Sequence, residues 1–341
     1  MHTSTVPASV LGDGRFLLRR REFVPAYLRT HAEGRLKDKV EQALSHLGPS
    51  CRACPRLCKG VDRLADQFGV CKIGRHARVA SAFPHFGEED VLRGWRGSGT
   101  IFFSWCNLRC VFCQNYETSQ QSSGEELDAR DLARLMIALQ KRGCHNINFV
   151  TPEHVAPQIV EALPHAIAMG LRLPLVYNTS GYDSLETLEV MDGLVDIYMP
   201  DFKLWDEEAC RNYLAAANYP PVVRGVIAAM HRQVGELKAD EDGLALRGVL
   251  VRHLVMPGRL DDTRHISNWL AELSRDSYLN LMDQYYPAWK AKTNTRFVEI
   301  NRRVSTREMI EANQHVRAAG LWRLDERWRE VSEVEMLLAR G

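Results

Sequence analysis

The chain has 341 residues, 45% hydrophobic and 26% charged, and its 44 basic and 43 acidic residues leave a formal charge of +1. That length fits one large α/β domain with a smaller module attached, or two domains. The charge balance excludes a strongly basic nucleic-acid binder and an acidic disordered tail, leaving a local basic patch at Arg19, Arg20 and Arg21.

In chain order, Leu36, Val40, Leu44 and Leu47 recur at helical spacing and Gly48-Pro49 stops that helix, so residues 1–50 read as a helical adaptor docked on the main domain. Residues 51–98 are rich in cysteine, glycine and charge and have little helical period. From about residue 99 strands alternate with helices. The pattern predicts a strand at Thr100–Ser104, a helix over roughly 128–142, a strand at Ile147–Val150 and a helix near 154–169. A strand at Pro174–Thr179, a helix from about Ser184, a strand at Asp196–Phe202 and a helical stretch over about 206–236 follow. After a turn at Gly243 come a strand at Gly248–Met256, a helix at Asp262–Arg275, a strand at Tyr278–Gln284, a strand at Arg296–Asn301 and a helix from Ser305 to about Ala319. The repeated order means a parallel sheet with right-handed crossovers, an incomplete barrel or curved open sheet. Ligand chemistry should then collect at the carboxyl ends of the strands. The expected units are 1–50 (adaptor), 51–98 (four-cysteine metal module), 99–320 (barrel) and 321–341 (C-terminal tail). No apolar run reaches bilayer length, and Met1-His2-Thr3-Ser4 shows no part of a signal peptide, so no membrane association and a cytoplasmic location are expected.

Nine cysteines carry the strongest signal, because seven of them cluster. Cys106, Cys110 and Cys113 form a C-x3-C-x2-C loop directly after a predicted strand, and Cys51, Cys54, Cys58 and Cys71 form a second set. In a reducing compartment, clusters of this kind argue for metal rather than disulfides. Three thiolates on one loop can hold three corners of an iron–sulfur cluster and leave one iron open. Spacing alone also allows a zinc site completed by Cys144 or a histidine. The N-terminal set supplies four thiolates, three local and one remote, for a second iron–sulfur cluster or a structural zinc. Arg52, Arg56, Lys59 and Lys72 would offset its charge. A cluster there could relay electrons to the catalytic centre; a zinc would make the module a clamp or docking surface. His85-Phe-Gly-Glu-Glu89 is either a substrate contact or proton shuttle, or a solvated turn, and Cys144 and Cys210 read as buried, inert thiols.

The run Thr100-Ile-Phe-Phe-Ser-Trp-Cys-Asn-Leu-Arg-Cys-Val-Phe-Cys-Gln-Asn-Tyr116 resembles the radical S-adenosylmethionine enzymes, nearest to their pyruvate formate-lyase activating enzyme-like branch. Tyr177-Asn-Thr-Ser-Gly181, Met199-Pro-Asp-Phe-Lys203 and Arg252-His-Leu-Val-Met-Pro-Gly258 extend the resemblance, at successive strand ends, over roughly residues 80–320. It implies a partial (β/α)6-type barrel in which Cys106, Cys110 and Cys113 hold a 4Fe–4S cluster. The open iron would bind the amino and carboxylate groups of S-adenosylmethionine, and reductive cleavage would give a 5′-deoxyadenosyl radical that abstracts hydrogen. By the same resemblance Phe112 flanks the adenine. Asn178, Thr179 and Ser180 contact the methionine or ribose part, with a sharp turn at Gly181, and Asp201, Lys203 and Arg252 complete the cofactor site. Asp201 and Lys203 could equally form a plain ion pair and Arg252 a structural salt bridge. Thr179, Met199 and Asp201 would face a monovalent cation, although Asn178 stands where the family has an aspartate. Thr151 and Glu153 replace a glycine-rich element in receiving the cofactor's amino group. Gln284 stands near a family histidine, and Trp105 stands where the family has a small residue. The resemblance implies a flavodoxin or ferredoxin as electron donor and a protein or peptide substrate, as in glycyl-radical activation. A small-molecule or other macromolecular substrate, and a non-catalytic zinc-binding interaction protein, are the alternatives.

Overall fold

The computed structural model describes residues 6–325; residues 1–5 and 326–341, the latter most of the expected C-terminal tail, lie outside that range. Nine strands occur in it: β1 Ala77–His85, β2 Ser98–Phe103, β3 Glu125–Leu127, β4 Ile147–Val150, β5 Leu175–Thr179, β6 Ile197–Pro200, β7 Lys238–Ala239, β8 Ala245–Leu254 and β9 Tyr278–Met282. They form one sheet in the order β3-β1-β2-β4-β5-β6-β8-β7, with β9 also paired to β8. The run β2-β4-β5-β6-β8-β9 is parallel throughout. A helix or helix pair follows each of its members, at Ala129–Lys141, Ala156–Ala168, Leu185–Met191, Glu207–Leu214 with Tyr219–Val234, Leu260–Leu273 and Thr306–Ala318. This is the α/β arrangement of strand–helix units the sequence implied, consistent with a radical SAM barrel, but the sheet is mixed where a parallel one was expected. β1, β3 and β7 join it antiparallel.

Strands β4, β5 and β6 are almost wholly buried, which is why they read as short apolar runs rather than alternating ones. Three of the sheet's helices start where side chains satisfy free amides: Asp128 accepts from Asp131 N, Asp206 from Ala209 N, and Ser305 and Glu308 form a capping box. Alternation divides the strand residues between two faces. One packs beneath the helices through Phe149, Tyr177, Val251 and Leu281. The other contributes Val176, Ile197, Met199, Leu250 and Tyr278 to a separate apolar cluster. Val91 and Leu92, from the segment between β1 and β2, and Val10 fill that second cluster.

The helix Leu36–Ser45 and the preceding Ala26–Ala32 pack onto the barrel. Ala26 N and Leu175 N donate to the two oxygens of buried Asp196 at 2.8 and 3.0 Å, and Thr30 Oγ1 donates to Gly193 O at 2.6 Å. Two expectations change. β1 lies in the stretch read as a metal module with little helical period, where no strand was placed; Pro84 and a register shift between Val79 and Ser81 obscure its alternation. The strand expected at Arg296–Asn301 is instead a 3-10 helix, Thr295–Ile300, started by the Asn294 side chain accepting from Arg296 N. Among the described residues no helix is long and apolar enough to cross a membrane.

Candidate active site

The cysteine loop leaves β2 through Ser104 and Trp105. Trp105 has φ +66°, a left-handed conformation costly for a bulky side chain, and its indole packs against the main core. The loop is pinned to the helix Glu207–Leu214: Arg109 N donates to Leu214 O at 3.0 Å and Val111 N to Tyr213 O at 2.8 Å. Cys106 and Cys110 are buried and Cys113 is partly exposed. Leu108 N donates to Cys106 Sγ at 3.3 Å, and Cys113 Sγ lies 3.1 Å from Ser119 Oγ. Burial raises the Cys106 thiol well above its ordinary range. It pushes Cys110 up to about 12, with neighbouring Lys203 opposing the shift. Free, both hold their protons; a metal has to displace them.

A solvent-open cavity of about 410 Å³ runs from this loop across the carboxyl ends of the parallel strands. Cys110, Phe112, Cys113, Asn178, Asp201, Lys203, Arg252 and Gln284 all line it, so seven of the ten residues expected in the catalytic and cofactor sites meet in one space. At its centre is a buried charge network. Asp201 accepts from Arg252 Nε at 2.7 Å and from Lys203 Nζ at 2.6 Å, and Arg252 Nη2 donates to Asn178 Oδ1 at 2.7 Å. Burial alone would raise the Asp201 pKa, but Arg252 and Lys203 hold it below the usual carboxylate range. The ion pairs are real, and they face the cavity.

Thr179, by strand alternation, points away from that space. Its hydroxyl donates to Asp183 Oδ2 at 2.6 Å and accepts from Gly181 N at 3.1 Å. Gly181 has φ +76°, and a Cβ there would stand 2.7 Å from both Asp201 O and a Val223 methyl, so the turn requires glycine. Of the three residues expected at a monovalent-cation site, Thr179 is bound to Asp183 and Asp201 to two cations. Ser180 donates through both N and Oγ to Glu153 Oε1. Glu153 is fully buried, near enough to Cys106 to raise its pKa, and its Oε2 has no partner. Thr151, one turn earlier, has φ +58°.

Several contributors were not legible as such. Glu88 and Glu89 are buried, not a solvated turn: Glu88 Oε2 lies 3.8 Å from Arg252 Nη1 and Glu89 Oε1 accepts from Asn280 Nδ2 at 2.8 Å. Asn148 is buried on β4, two residues before cavity-lining Val150, with neither side-chain atom partnered. Cys144 and Cys210 are buried as expected. The N-terminal cysteines gather beside the catalytic loop, with Cys51, Cys54 and Cys71 buried and Cys58 partly exposed. Among the described residues no three His, Cys, Asp or Glu side chains are placed to hold a single metal ion between them.

The family model of the Radical SAM superfamily matches residues 100–270, half of the chain. An uncharacterized protein of Methanocaldococcus jannaschii, MJ0674, is 30% identical over 282 residues, covering 80% of this chain and 76% of the relative. Among solved structures, TYW1 with a bound lysine-pyruvate adduct has a TM-score of 0.40 at 10% identity, covering 64% of this chain and 73% of that one. Streptococcus suis SuiB bound to S-adenosylmethionine has a TM-score of 0.42 at 11% identity, covering 62% of this chain and 44% of that one. The family match begins in β2, takes in the three-cysteine loop and ends past Arg252, and the chain belongs to the radical SAM superfamily.

Proposed function

We propose that this chain binds a 4Fe–4S cluster through Cys106, Cys110 and Cys113 and S-adenosylmethionine in the adjoining cavity, and that it abstracts hydrogen from a protein or peptide substrate. The observation that carries the reading is the convergence of the thiol loop and the Asp201–Arg252–Lys203–Asn178 network on one open cavity. The residues suit the groups. Three thiols project from one loop, and a buried carboxylate oxygen, Glu153 Oε2, has no partner, as expected for an acceptor awaiting an ammonium group. When bound, the cluster and S-adenosylmethionine supply a carbon-centred radical able to take a hydrogen atom.

The protein's own task is to bind, orient and exclude water. Glu153, held by Ser180, offers its free oxygen beside Cys106. Phe112 gives the cavity a buried aromatic wall braced by Tyr285, ring centroids 6.1 Å apart. Arg252 has Nε and Nη2 bound to Asp201 and Asn178, so it acts as a positioning residue that fixes both acceptors. Lys203 places its charge near Cys110, favouring the thiolate. The open mouth favours a chain segment as substrate, because a segment of a larger molecule must enter from solvent. A one-electron carrier of the flavodoxin or ferredoxin kind supplies the reducing equivalent, and the protein acts in the cytoplasm.

Anaerobically reconstituted, dithionite-reduced protein should form 5′-deoxyadenosine from S-adenosylmethionine; none formed would refute the assignment. Incubation with a candidate glycyl-radical protein should then give a doublet in its electron paramagnetic resonance spectrum. Cofactor cleavage without that doublet would move the substrate to a small molecule or another macromolecule.

A further inference from the structure

The four N-terminal cysteines take no part in the cavity, yet they are built against the loop that does. Cys51 and Cys58 face each other across a backbone bridge, with Cys58 N donating to Cys51 O at 2.9 Å. Cys71 lies within electrostatic reach of Cys51 and Cys58, and Cys54 of Cys71 and Cys51, so the four side chains share one neighbourhood. The Cys58 sulfur accepts a backbone N–H bond from Val70 at 3.5 Å. Cys106 Sγ in the other set accepts a backbone bond of the same kind from Leu108 N at 3.3 Å. A neutral thiol is a weak acceptor, and such donors gain most when the sulfur is a thiolate.

Arg63 points to the same charge. It is 1% exposed, and among the described residues no carboxylate pairs with it. Its Nε donates to Gly74 O at 3.1 Å and its Nη1 to His154 O at 2.8 Å, with Cys51 Sγ 3.8 Å away, while Nη2 has no partner. A buried guanidinium without a counter-ion costs several kcal/mol. Four thiolates around a cluster carry net negative charge and would supply that counter-ion.

One side chain joins the two cysteine sets. Asn107 follows Cys106 in the loop and stands close enough to Cys54 to lower that thiol's pKa, and its Oδ1 is 3.9 Å from Cys106 Sγ. Its Nδ2 is fixed by donation to Tyr182 O at 2.7 Å. Arg56 Nε donates to Asn107 O at 2.7 Å, and Arg109 spans from Cys106 O to Val70 O, beside Cys71. Asn107 and these two arginines therefore tie the loop of one cysteine set directly to that of the other.

We propose that Cys51, Cys54, Cys58 and Cys71 hold a second iron–sulfur cluster that hands electrons to the catalytic one through the Cys54–Asn107–Cys106 contact. The proposal rests on reading Cys106, Cys110 and Cys113 as cluster ligands. An external low-potential one-electron carrier reduces the N-terminal cluster at its half-exposed Cys58 edge, one ferric iron becoming ferrous. That cluster then passes one electron inward and returns to its oxidised state; no bond forms or breaks and no proton moves. Complete ligation by four cysteines leaves it no open iron, so it relays and does not bind S-adenosylmethionine.

The test uses full-length protein reconstituted anaerobically with iron and sulfide, with zinc measured alongside. The wild type should hold about eight irons, two cubane clusters of about four each. The variant Cys106→Ala/Cys110→Ala/Cys113→Ala should keep half of that iron, with matching sulfide, and its reduced spectrum should not respond to S-adenosylmethionine. Cys51→Ala/Cys71→Ala should keep the other half and respond. Circular dichroism confirms that each variant is folded. In the fully reduced wild type the two clusters should broaden each other's paramagnetic resonance, a broadening lost in both variants. Zinc in place of iron in the triple variant, or a wild type whose iron vanishes entirely with Cys106, Cys110 and Cys113, would overturn the second cluster. A wild-type spectrum equal to the plain sum of the two variants' spectra would overturn the relay. If the wild type cleaves no S-adenosylmethionine while the triple variant keeps iron and sulfide, the reading of the active site fails and the N-terminal cluster stands.

Discussion

Replacing Asp201 with asparagine is the sharpest test of the buried network. The carboxylate takes a 2.7 Å bond from Arg252 Nε and a 2.6 Å bond from Lys203 Nζ, with the three side chains only 16–17% exposed. The substitution removes one negative charge from between two cations that water reaches poorly. Breaking a buried pair in this way costs about 3–5 kcal/mol, against about 0–1 kcal/mol for an exposed one. Asparagine keeps an acceptor for Arg252, and Arg252 retains its 2.7 Å bond to Asn178, which places the expected loss near the lower end, about 3 kcal/mol. Domains commonly hold about 5–15 kcal/mol, so the variant should still fold. Urea unfolding with linear extrapolation measures the loss. Adding Lys203→Met to Asp201→Asn removes one of the two stranded cations and should recover part of it, whereas Lys203→Met alone leaves Asp201 paired with Arg252. A loss for Asp201→Asn below about 1 kcal/mol, or no recovery in the double variant, would show that water screens the network and would refute the argument.

Gly181→Ala should lower Tm, by about 1–3 kcal/mol of strain, because its φ of +76° is combined with 2.7 Å approaches to Asp201 O and Val223; an unchanged melting curve would contradict the turn geometry. Glu153→Gln should weaken S-adenosylmethionine binding about 10- to 100-fold, the worth of one charge-assisted hydrogen bond, when titrated calorimetrically into the anaerobic cluster-loaded protein. Equal affinity would remove Glu153 from the cofactor site. Glu89, raised by burial to about 7, binds a proton in the folded state that the unfolded chain releases near 4.5. Stability is therefore expected to fall as pH rises from about 4.5 to about 7, by at most about 1.4 kcal/mol per pH unit from this group. Glu89→Gln should flatten that slope, and urea midpoints across the window that stay parallel to the wild type would refute the assignment.

Local signals were strong wherever a single element decides the outcome. The strand Ile147–Val150 and the helix Thr306–Ala318 could be placed almost to the residue, because short apolar runs and a Ser305–Glu308 capping box report local structure. The same holds for the cavity: Asn178, Asp201 and Arg252 fall at successive strand ends, and a parallel sheet brings successive strand ends together whatever else varies. Pairing partners could not be read so directly. β1 is a strand because β2 and β3 flank it, and its own residues, with Pro84 inside, argue against it. Glu88 and Glu89 looked solvated for the same reason, since their burial depends on Arg252 and Asn280, more than 160 residues along the chain. Asn107 had no signal at all. Its role depends on Cys54 and Cys106 meeting, a tertiary event that no spacing encodes.

The placement of Glu88 and Glu89 has a consequence for the charge state of the cavity. Arg252 and Lys203 bring two cations into a buried space, and Asp201 and Glu88 answer them: despite burial, the Glu88 pKa is held down by a hydrogen bond with His85 and by Arg252. Those two cations and two carboxylates balance among themselves, and burial raises the two remaining acids nearby, Glu89 and Glu153. Burial shifts Glu89 opposite to its neighbour, up to about 7, so it holds its proton below neutral pH while Glu88 is ionised. The pair thus separates by environment rather than by residue type, as coupled carboxyls sharing one site do. The neutrality matters for ligand binding. A cavity already balanced by its own side chains has no net field to attract anions, so selectivity for a zwitterionic amino-acid moiety has to come from individually placed groups. Glu153 Oε2 and the Asn148 amide, on or just after β4, are buried polar groups without partners that could serve that purpose.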